Sequence, residues 1–169
     1  MEDTLLQYSR AIDSGKGGLL FSVVGGKMSE GINFSDNLGR GVIIVGLPFP
    51  NSQTTEWRAK LEYIQKVATE RFPASESASD CTEFAKAAGR EFYENACMRA
   101  VNQSIGRAIR HRQDYAVIML FDQRYSLPRI TNKLPKWIRE SLVNGEKKHF
   151  TELIRSTGAF FRAKDPTVG

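Results

Sequence analysis

The sequence predicts an α/β domain in which helices flank a parallel sheet. Three short apolar runs have the length and β-branched content of buried strands: residues 19–24, 41–47 and 115–121. Segments with helical spacing lie between them, and apolar strands that alternate with helices are typical of parallel sheets covered on both faces. The length of 169 residues predicts a single domain, spanning 1–169, with a core that needs no disulfides.

The first helix is predicted from Leu5, Tyr8 and Ile12, which recur at helical spacing before the glycine-rich turn 14–18. The first strand, 19–24, stops at two glycines and leads into a polar loop. The second strand, 41–47, is ended by Pro48, because proline cannot donate to a sheet ladder.

A second helix is predicted to begin with Thr54 or Thr55 as its cap and to run to about Arg71. Residues 73–79 have the composition of an exposed loop. The segment 80–110 is rich in helix-forming residues, with a break expected near Gly89. After the third strand, two amphipathic segments are predicted at 135–142 and 147–162.

The net charge is +5, but the basic residues cluster in one window of the chain. Residues 99–139 contain nine arginines and lysines against two aspartates, an excess of seven positive charges, and the rest of the chain is slightly negative. A basic block in a near-neutral chain predicts an anionic partner such as phosphate or nucleic acid. A solvated basic face is the alternative interpretation.

The composition also excludes several classes of protein. Cys81 and Cys97 are too few for a disulfide framework or a four-cysteine metal site, and we expect small buried side chains in a reducing compartment. No apolar run approaches the roughly 20 residues that a membrane-spanning helix needs. The acidic, polar start is unlike a signal peptide. We therefore expect neither a membrane protein nor a secreted one.

The polar loop 25–36 is the first candidate site, because ligands in α/β folds gather at the carboxyl ends of strands. It is not a phosphate-binding P-loop, since Phe21 stands where the first glycine is required and Met28 follows the lysine. Its polar side chains can hydrogen-bond a phosphate backbone or relay a movement, although such loops are often plain connectors. These side chains are Ser29, Glu30, Asn33 and Asp36.

The second candidate site is one face of a predicted helix. Gln103, Arg107 and Arg110 lie at i, i+4 and i+7, within about 60° of one another on a helix. Gly106 flanks this face, where a missing side chain lets a ligand approach closely. Two guanidiniums on a packed helix suit the charge of a transferring phosphoryl group, and two solvated surface arginines are the alternative. The opposite face, expected to pack on the sheet, consists of Val101, Ile105 and Ala108.

Two motifs resemble those of known DNA helicases. The pattern Gln103-x-x-Gly106-Arg107-x-x-Arg110 resembles motif VI of superfamily 2 helicases, and residues 27–34 resemble motif V of the XPD-like iron–sulfur helicases. Asn33, Asn51 and the run 95–103 make the chain most similar to the chromosome-loss branch, the sister-chromatid-cohesion helicases. Shorter matches in the same order extend over nearly the whole chain: Gly39-Arg40, 47–50, Asp114-Tyr115, 122–125 and 133–138.

The resemblance implies a partial RecA-like second motor lobe, lacking its first strands, of an ATP-dependent 5′-to-3′ DNA helicase. Such a protein would work in the nucleus on sister-chromatid cohesion and DNA repair. The resemblance also implies that Arg107 and Arg110 reach the γ-phosphate of ATP as arginine fingers, while Gln103 positions the network of nucleotide and water. Its partners would be single-stranded or forked DNA and replication and cohesion proteins.

Further roles implied by the resemblance concern the link between ATP and DNA. ATP and Mg²⁺ would bind between this lobe and the missing one, which would carry the Walker A lysine, the magnesium-holding acidic box and a 4Fe–4S cluster. No metal is expected on this chain. The implied coupling residues are Ser29, Glu30, Gly31, Asn33, Asp36 and Gly106. The implied DNA contacts are Lys27, Met28, Ser29 and Arg40.

Two other functions compete with a helicase lobe. A stand-alone basic nucleic-acid-binding module would use residues 99–139 and would bind DNA in a way that weakens steeply with salt. A protein-interaction domain descended from an inactive helicase is disfavoured because both Arg107 and Arg110 are present.

Overall fold

The computed structural model describes residues 2–26, 34, 36–73, 77–109, 111–143 and 150–164. Two short 3-10 turns, Asp36–Gly39 and Gln123–Ser126, accompany the helices and strands. The elements in chain order are α1 (Glu2–Asp13), β1 (Gly41–Val45), α2 (Thr55–Arg71), α3 (Ala78–Ile105), β2 (Val117–Phe121), α4 (Pro128–Thr131), α5 (Lys136–Glu140) and α6 (Phe150–Lys164).

The described sheet consists of β1 and β2, which pair in parallel with Gly41 opposite Val117 and Val45 opposite Phe121. Two strands joined in parallel need a long crossover, and α2 and α3 form it. The predicted parallel sheet flanked by helices is therefore confirmed. The core lies against one face of the sheet, and its buried residues are Ile44, Leu47, Cys97, Met98, Val101, Ile105, Tyr125, Ile130, Leu134 and Ile138.

Helices α2 and α3 pack against each other through aromatic side chains. The Thr54 side chain caps α2, accepting a hydrogen bond from the Trp57 N–H, as predicted. The Trp57 ring lies 6.0 Å from the Phe92 ring. The break expected near Gly89 is wrong, because α3 is continuous there. A Cβ on Gly89 would lie 2.9 Å from Nε2 of Gln65, so this glycine lets the two helices approach closely.

The strand predicted at 19–24 is wrong. This segment has no regular structure, and the side chains of Leu19, Phe21 and Val23 are exposed. A strand is stable only when its backbone groups are paired and its apolar face is covered. In the described part of the chain, β1 and β2 pair only with each other, so this segment has no sheet neighbour.

The expectation that helices cover both faces of the sheet holds for one face only, as far as the described residues go. Ile44 points into the core and is 3% exposed, whereas its neighbours Ile43 and Val45 are 57% and 77% exposed. Phe121, the partner of Val45 in β2, is 62% exposed. Alternation along a strand sends successive side chains to opposite faces, so these three residues form an uncovered apolar face.

The two amphipathic segments predicted near the end of the chain correspond to helices α5 and α6, and residues 144–149 between these helices lie outside the described residues. Helix α6 contacts the residue two positions before β2 through Phe160 and Phe161, whose rings lie 6.2 Å and 6.5 Å from the Tyr115 ring. None of the described helices has the length and apolar character needed to cross a membrane.

Candidate functional site

The end of α3 carries Gln103 and leads into the turn that carries Arg107. After α3, residues 106–108 form a turn whose hydrogen bonds join residues three positions apart. Arg107 N donates to Ser104 O at 3.2 Å, and Ala108 N donates to Ile105 O at 3.1 Å. The helix expected to continue to Arg110 therefore ends earlier, because α3 ends at Ile105. Bonds of this i to i+3 kind satisfy the last carbonyls of the helix and end it.

Buried apolar side chains hold this turn in place. Val101, Ile105 and Ala108 are each no more than 1% exposed, which confirms the predicted core-facing set. Arg107 is partly buried and Gln103 is exposed, so both lie beside this buried set. Arg110 lies outside the described residues.

The loop 25–36 is described only at its two ends. Lys27, Met28, Ser29, Glu30, Gly31 and Asn33, all candidate site residues, lie outside the described residues. Phe34 is held on three sides at the downstream end. Its N–H donates to the Arg107 carbonyl at 3.2 Å, and its ring meets Tyr8 edge-on at 6.4 Å. A Cβ on Gly39 would lie 2.1 Å from the Phe34 carbonyl oxygen, so Gly39 packs directly against it.

Asp36 adopts a left-handed backbone conformation, with φ of 56°, a region that aspartate visits more readily than most residues. Its Oδ1 lies 3.0 Å from Nε2 of His111, and both side chains are about half exposed to solvent. Sequence reasoning identified Asp36 but missed His111, because a histidine just after Arg110 forms no pattern with other residues.

Arg40, an expected DNA contact, is surrounded by protein groups. Its Nη1 donates to Asp114 Oδ1 and to the Tyr115 carbonyl, both at 2.9 Å, and Nη2 donates to Asn37 Oδ1 at 3.2 Å. The guanidinium carbon lies 3.9 Å from the centre of the Tyr115 ring. The Asp114 side chain is fully buried. A buried carboxylate needs such a partner, because an unpaired charge in the interior is costly.

These contacts lie at the amino ends of β1 and β2, since Arg40 precedes β1 and Asp114 precedes β2. The hydrogen bond from Val117 N to Arg40 O, at 2.9 Å, continues the ladder there. The expectation that the loop 25–36 follows the carboxyl end of a strand rested on the strand predicted at 19–24, which does not form.

At the opposite, carboxyl ends of the strands, Asp122 and Arg124 form a forked ion pair with bonds of 2.9 Å and 2.8 Å. The hydrogen bonds from Arg124 lower the pKa of Asp122 to about 2. Sequence reasoning used these residues only as part of a family match. Nearby, Cys97 is 1% exposed, and burial raises the pKa of its thiol to about 11. The expected burial is thus confirmed for Cys97, and Cys81 is partly buried.

Asp36, His111 and Asp114 bring potential metal-ligand atoms within 4.8 Å of one another. The Arg40 guanidinium bonds to Asp114 Oδ1, and its positive charge opposes a cation there. Two of the three side chains are exposed and already paired with each other. The cluster is therefore better described as two side-chain contacts, Asp36 with His111 and Arg40 with Asp114, that join the two candidate segments.

A sequence model for the helicase C-terminal domain matches residues 1–141, which include both candidate segments. The chain is 61% identical over 142 residues to a protein of Aspergillus clavatus named ATP-dependent DNA helicase chl1, covering 84% of this chain. Proteins of the same name in Aspergillus fumigatus and Schizosaccharomyces pombe are 53% and 52% identical over 98% and 96% of it. The chain spans about a fifth of the length of these relatives, 19%, 21% and 18% respectively.

Proposed function

Because the chain belongs to the family of helicase C-terminal domains, we propose that it is part of the second motor lobe of an ATP-dependent DNA helicase. The full protein would move 5′-to-3′ on single-stranded or forked DNA and act with replication and cohesion proteins in the nucleus. The names of its relatives support the helicase, and the motifs of the chromosome-loss branch support the role in cohesion. Exclusion of the tagged full-length protein from the nucleus would contradict that role.

Within this lobe, Arg107 and Arg110 act as arginine fingers on the γ-phosphate, and Gln103 orients the network of nucleotide and water. Arg107 suits this task because the turn that carries it is anchored by Ile105 and Ala108, both buried. A preorganised guanidinium stabilises the charge that develops during phosphoryl transfer without having to reorganise at the moment of reaction.

In this proposal, the residues of the loop 27–33 connect DNA to the turn that carries Arg107. Lys27, Met28 and Ser29 contact the strand, and the coupling set also includes Glu30, Gly31, Asn33, Asp36 and Gly106. The observation that carries this proposal is the hydrogen bond from Phe34 N to the Arg107 carbonyl. A displacement of the loop by DNA would therefore act through this backbone contact on the turn that carries Arg107.

The chain contributes Arg107 and Arg110 to the proposed ATP site. Their guanidinium groups can bind the phosphates of Mg²⁺-bound ATP. The resemblance assigns the other ligands of ATP and Mg²⁺ to the missing lobe. The cysteines do not fit a 4Fe–4S cluster, which needs four cysteine ligands, because the chain has two and Cys97 is buried in the core. We propose that any such cluster belongs to the missing lobe.

The test is DNA-stimulated ATP hydrolysis by the full-length protein with Arg107→Ala. We expect kcat to fall by about 10³-fold, the lower range for an arginine finger, with little change in DNA affinity. Arg99→Ala is the control, because Arg99 is an exposed arginine on α3, the helix that precedes the Arg107 turn. Wild-type turnover in Arg107→Ala would refute the finger role. DNA binding without ATP hydrolysis by the wild-type protein would favour the basic nucleic-acid-binding module.

A further inference from the structure

We propose that Arg40 is a positioning residue that holds the segment bearing Arg107, and that it is not a DNA ligand. It joins the segment 34–40, at the end of the coupling loop, to the segment 107–115, which follows α3. This inference rests on the proposed function, since the position of Arg107 matters only if the full protein hydrolyses ATP.

Three contacts join the two segments in the same order along both. Phe34 bonds to Arg107 through the backbone, Asp36 pairs with His111, and Arg40 pairs with Asp114. The spacing of the contacts shows that the segments run side by side in the same direction, as the parallel strands β1 and β2 do immediately afterwards. Arg40 therefore holds the alignment at the point where the sheet begins.

Of the two side-chain contacts, the one made by Arg40 is the better shielded. The Asp114 side chain is 0% exposed and that of Arg40 is 25% exposed, compared with 61% and 48% for Asp36 and His111. Ion pairs open to solvent contribute little, whereas a shielded pair with additional hydrogen bonds fixes geometry. The stacking of the guanidinium on Tyr115 adds a further constraint that a lysine ammonium would not reproduce.

A DNA phosphate would have to compete for terminal nitrogens that already donate to protein oxygens. Both terminal nitrogens of Arg40 donate to protein oxygens, two of them in the segment 107–115. Drawing the guanidinium to a phosphate would leave the buried Asp114 without this partner, which is unfavourable. The geometry therefore favours positioning over a contact with DNA.

The experiment uses the full-length helicase with Arg40→Gln, Asp114→Asn and the double variant, and it measures kcat, KM for ATP and DNA affinity across salt concentrations. We expect kcat to fall at least tenfold in Arg40→Gln and several-fold in Asp114→Asn, which keeps an acceptor. The double variant should be no slower than Arg40→Gln. DNA affinity and its salt dependence should stay within twofold of wild type. Arg90→Gln is the control, because it removes an exposed ion pair on α3.

A DNA ligand would behave differently. Arg40→Gln would then weaken DNA binding and reduce the slope of log affinity against log salt by about one, and Asp114→Asn would leave kcat unchanged. A lower melting temperature with wild-type kcat would also overturn the proposal, because it would indicate stability alone.

Wild-type turnover in Arg107→Ala refutes the proposed function itself, whereas an inactive Arg107→Ala beside an active Arg40→Gln refutes only the role of Arg40. If Arg40→Gln does not fold, the kcat of Asp114→Asn decides.

Discussion

The backbone N–H of Phe34 donates to the carbonyl of Arg107 across 3.2 Å, although 73 positions separate the two residues in the sequence. This bond connects the downstream end of the candidate DNA loop to the turn that carries the candidate finger. Phe34 can make it because Gly39 leaves room for its carbonyl and Tyr8 supports its ring. A small backbone shift at Phe34 would therefore act on the backbone of Arg107 through this hydrogen bond.

Gly39→Ala is expected to uncouple ATP hydrolysis from DNA in the full-length protein. The new Cβ would lie 2.1 Å from the Phe34 carbonyl oxygen, so Phe34 must move and its bond to Arg107 must weaken. We expect DNA-stimulated turnover to fall more than basal turnover. Overpacking of this kind also destabilises a protein by about 1–3 kcal/mol.

Gly41→Ala is the matched control for Gly39→Ala. It adds the same methyl group two residues further on, where a Cβ would meet no atom within 4 Å. Steady-state ATPase assays with and without single-stranded DNA make the comparison. Equal stimulation by DNA in both variants would show that the position of Phe34 does not matter for coupling.

Ile105→Ala is expected to destabilise the chain by about 2–5 kcal/mol, because Ile105 is 0% exposed at the end of α3 and its removal leaves a cavity. The turn that carries Arg107 would also lose part of the apolar packing that supports it. Urea denaturation measures the free energy of unfolding. Ile154→Ala on α6, where the side chain is 51% exposed, should change it by less than about 1 kcal/mol. Similar losses in the two variants would contradict this assignment of the core.

The sequence alone predicted the buried side of the Arg107 turn and the cap of α2, because these signals are local. The buried set of Val101, Ile105 and Ala108 followed from helical periodicity, and the Thr54 cap followed from residue type. The end of α3 at Ile105 was missed, because the apolar spacing continues through Ala108 while the hydrogen bonds tighten. Periodicity places a side chain on a face but does not fix where the backbone pattern changes.

The sequence did not predict the long-range pairings, because they leave no local pattern. Arg40 and Asp114 are 74 positions apart, and neither belongs to a spacing pattern that points to the other. The segment 19–24 has the residue types of a buried strand, yet a strand also needs a neighbour, which residue types cannot supply. The fold class was predictable from alternation of apolar runs and helices, whereas the partners of each element were not.

Cys97 is expected to resist alkylation in the folded chain. The thiolate is the reactive form, and with a pKa of about 11 only about one thiol in a thousand would be ionised at pH 8. Burial at 1% exposure also blocks the reagent. Mass spectrometry after iodoacetamide treatment should therefore show Cys81 modified first and Cys97 only once the chain unfolds in urea. Equal rates for both cysteines in the absence of urea would contradict the buried position of Cys97.

The Asp122–Arg124 pair predicts how stability depends on acid. Hydrogen bonds from Arg124 hold the pKa of Asp122 at about 2 in the folded chain, below its ordinary value of 3.8. A depressed pKa means that folding favours the charged form. The contribution of this carboxylate is therefore fully present above about pH 4 and is lost as the pH falls through 2.

Asp122→Asn removes that charge while keeping a side-chain oxygen that can still accept the Arg124 N–H at the start of the 3-10 turn. The melting temperature of the wild-type chain should therefore exceed that of Asp122→Asn at pH 6, and the difference should shrink steadily between pH 4 and pH 2. Asp13→Asn, which changes an exposed aspartate at the end of α1, serves as the control. Thermal melts followed by circular dichroism at several pH values measure both differences. A gap between wild type and Asp122→Asn that stays constant down to pH 2 would show that the charge of Asp122 does not stabilise the fold.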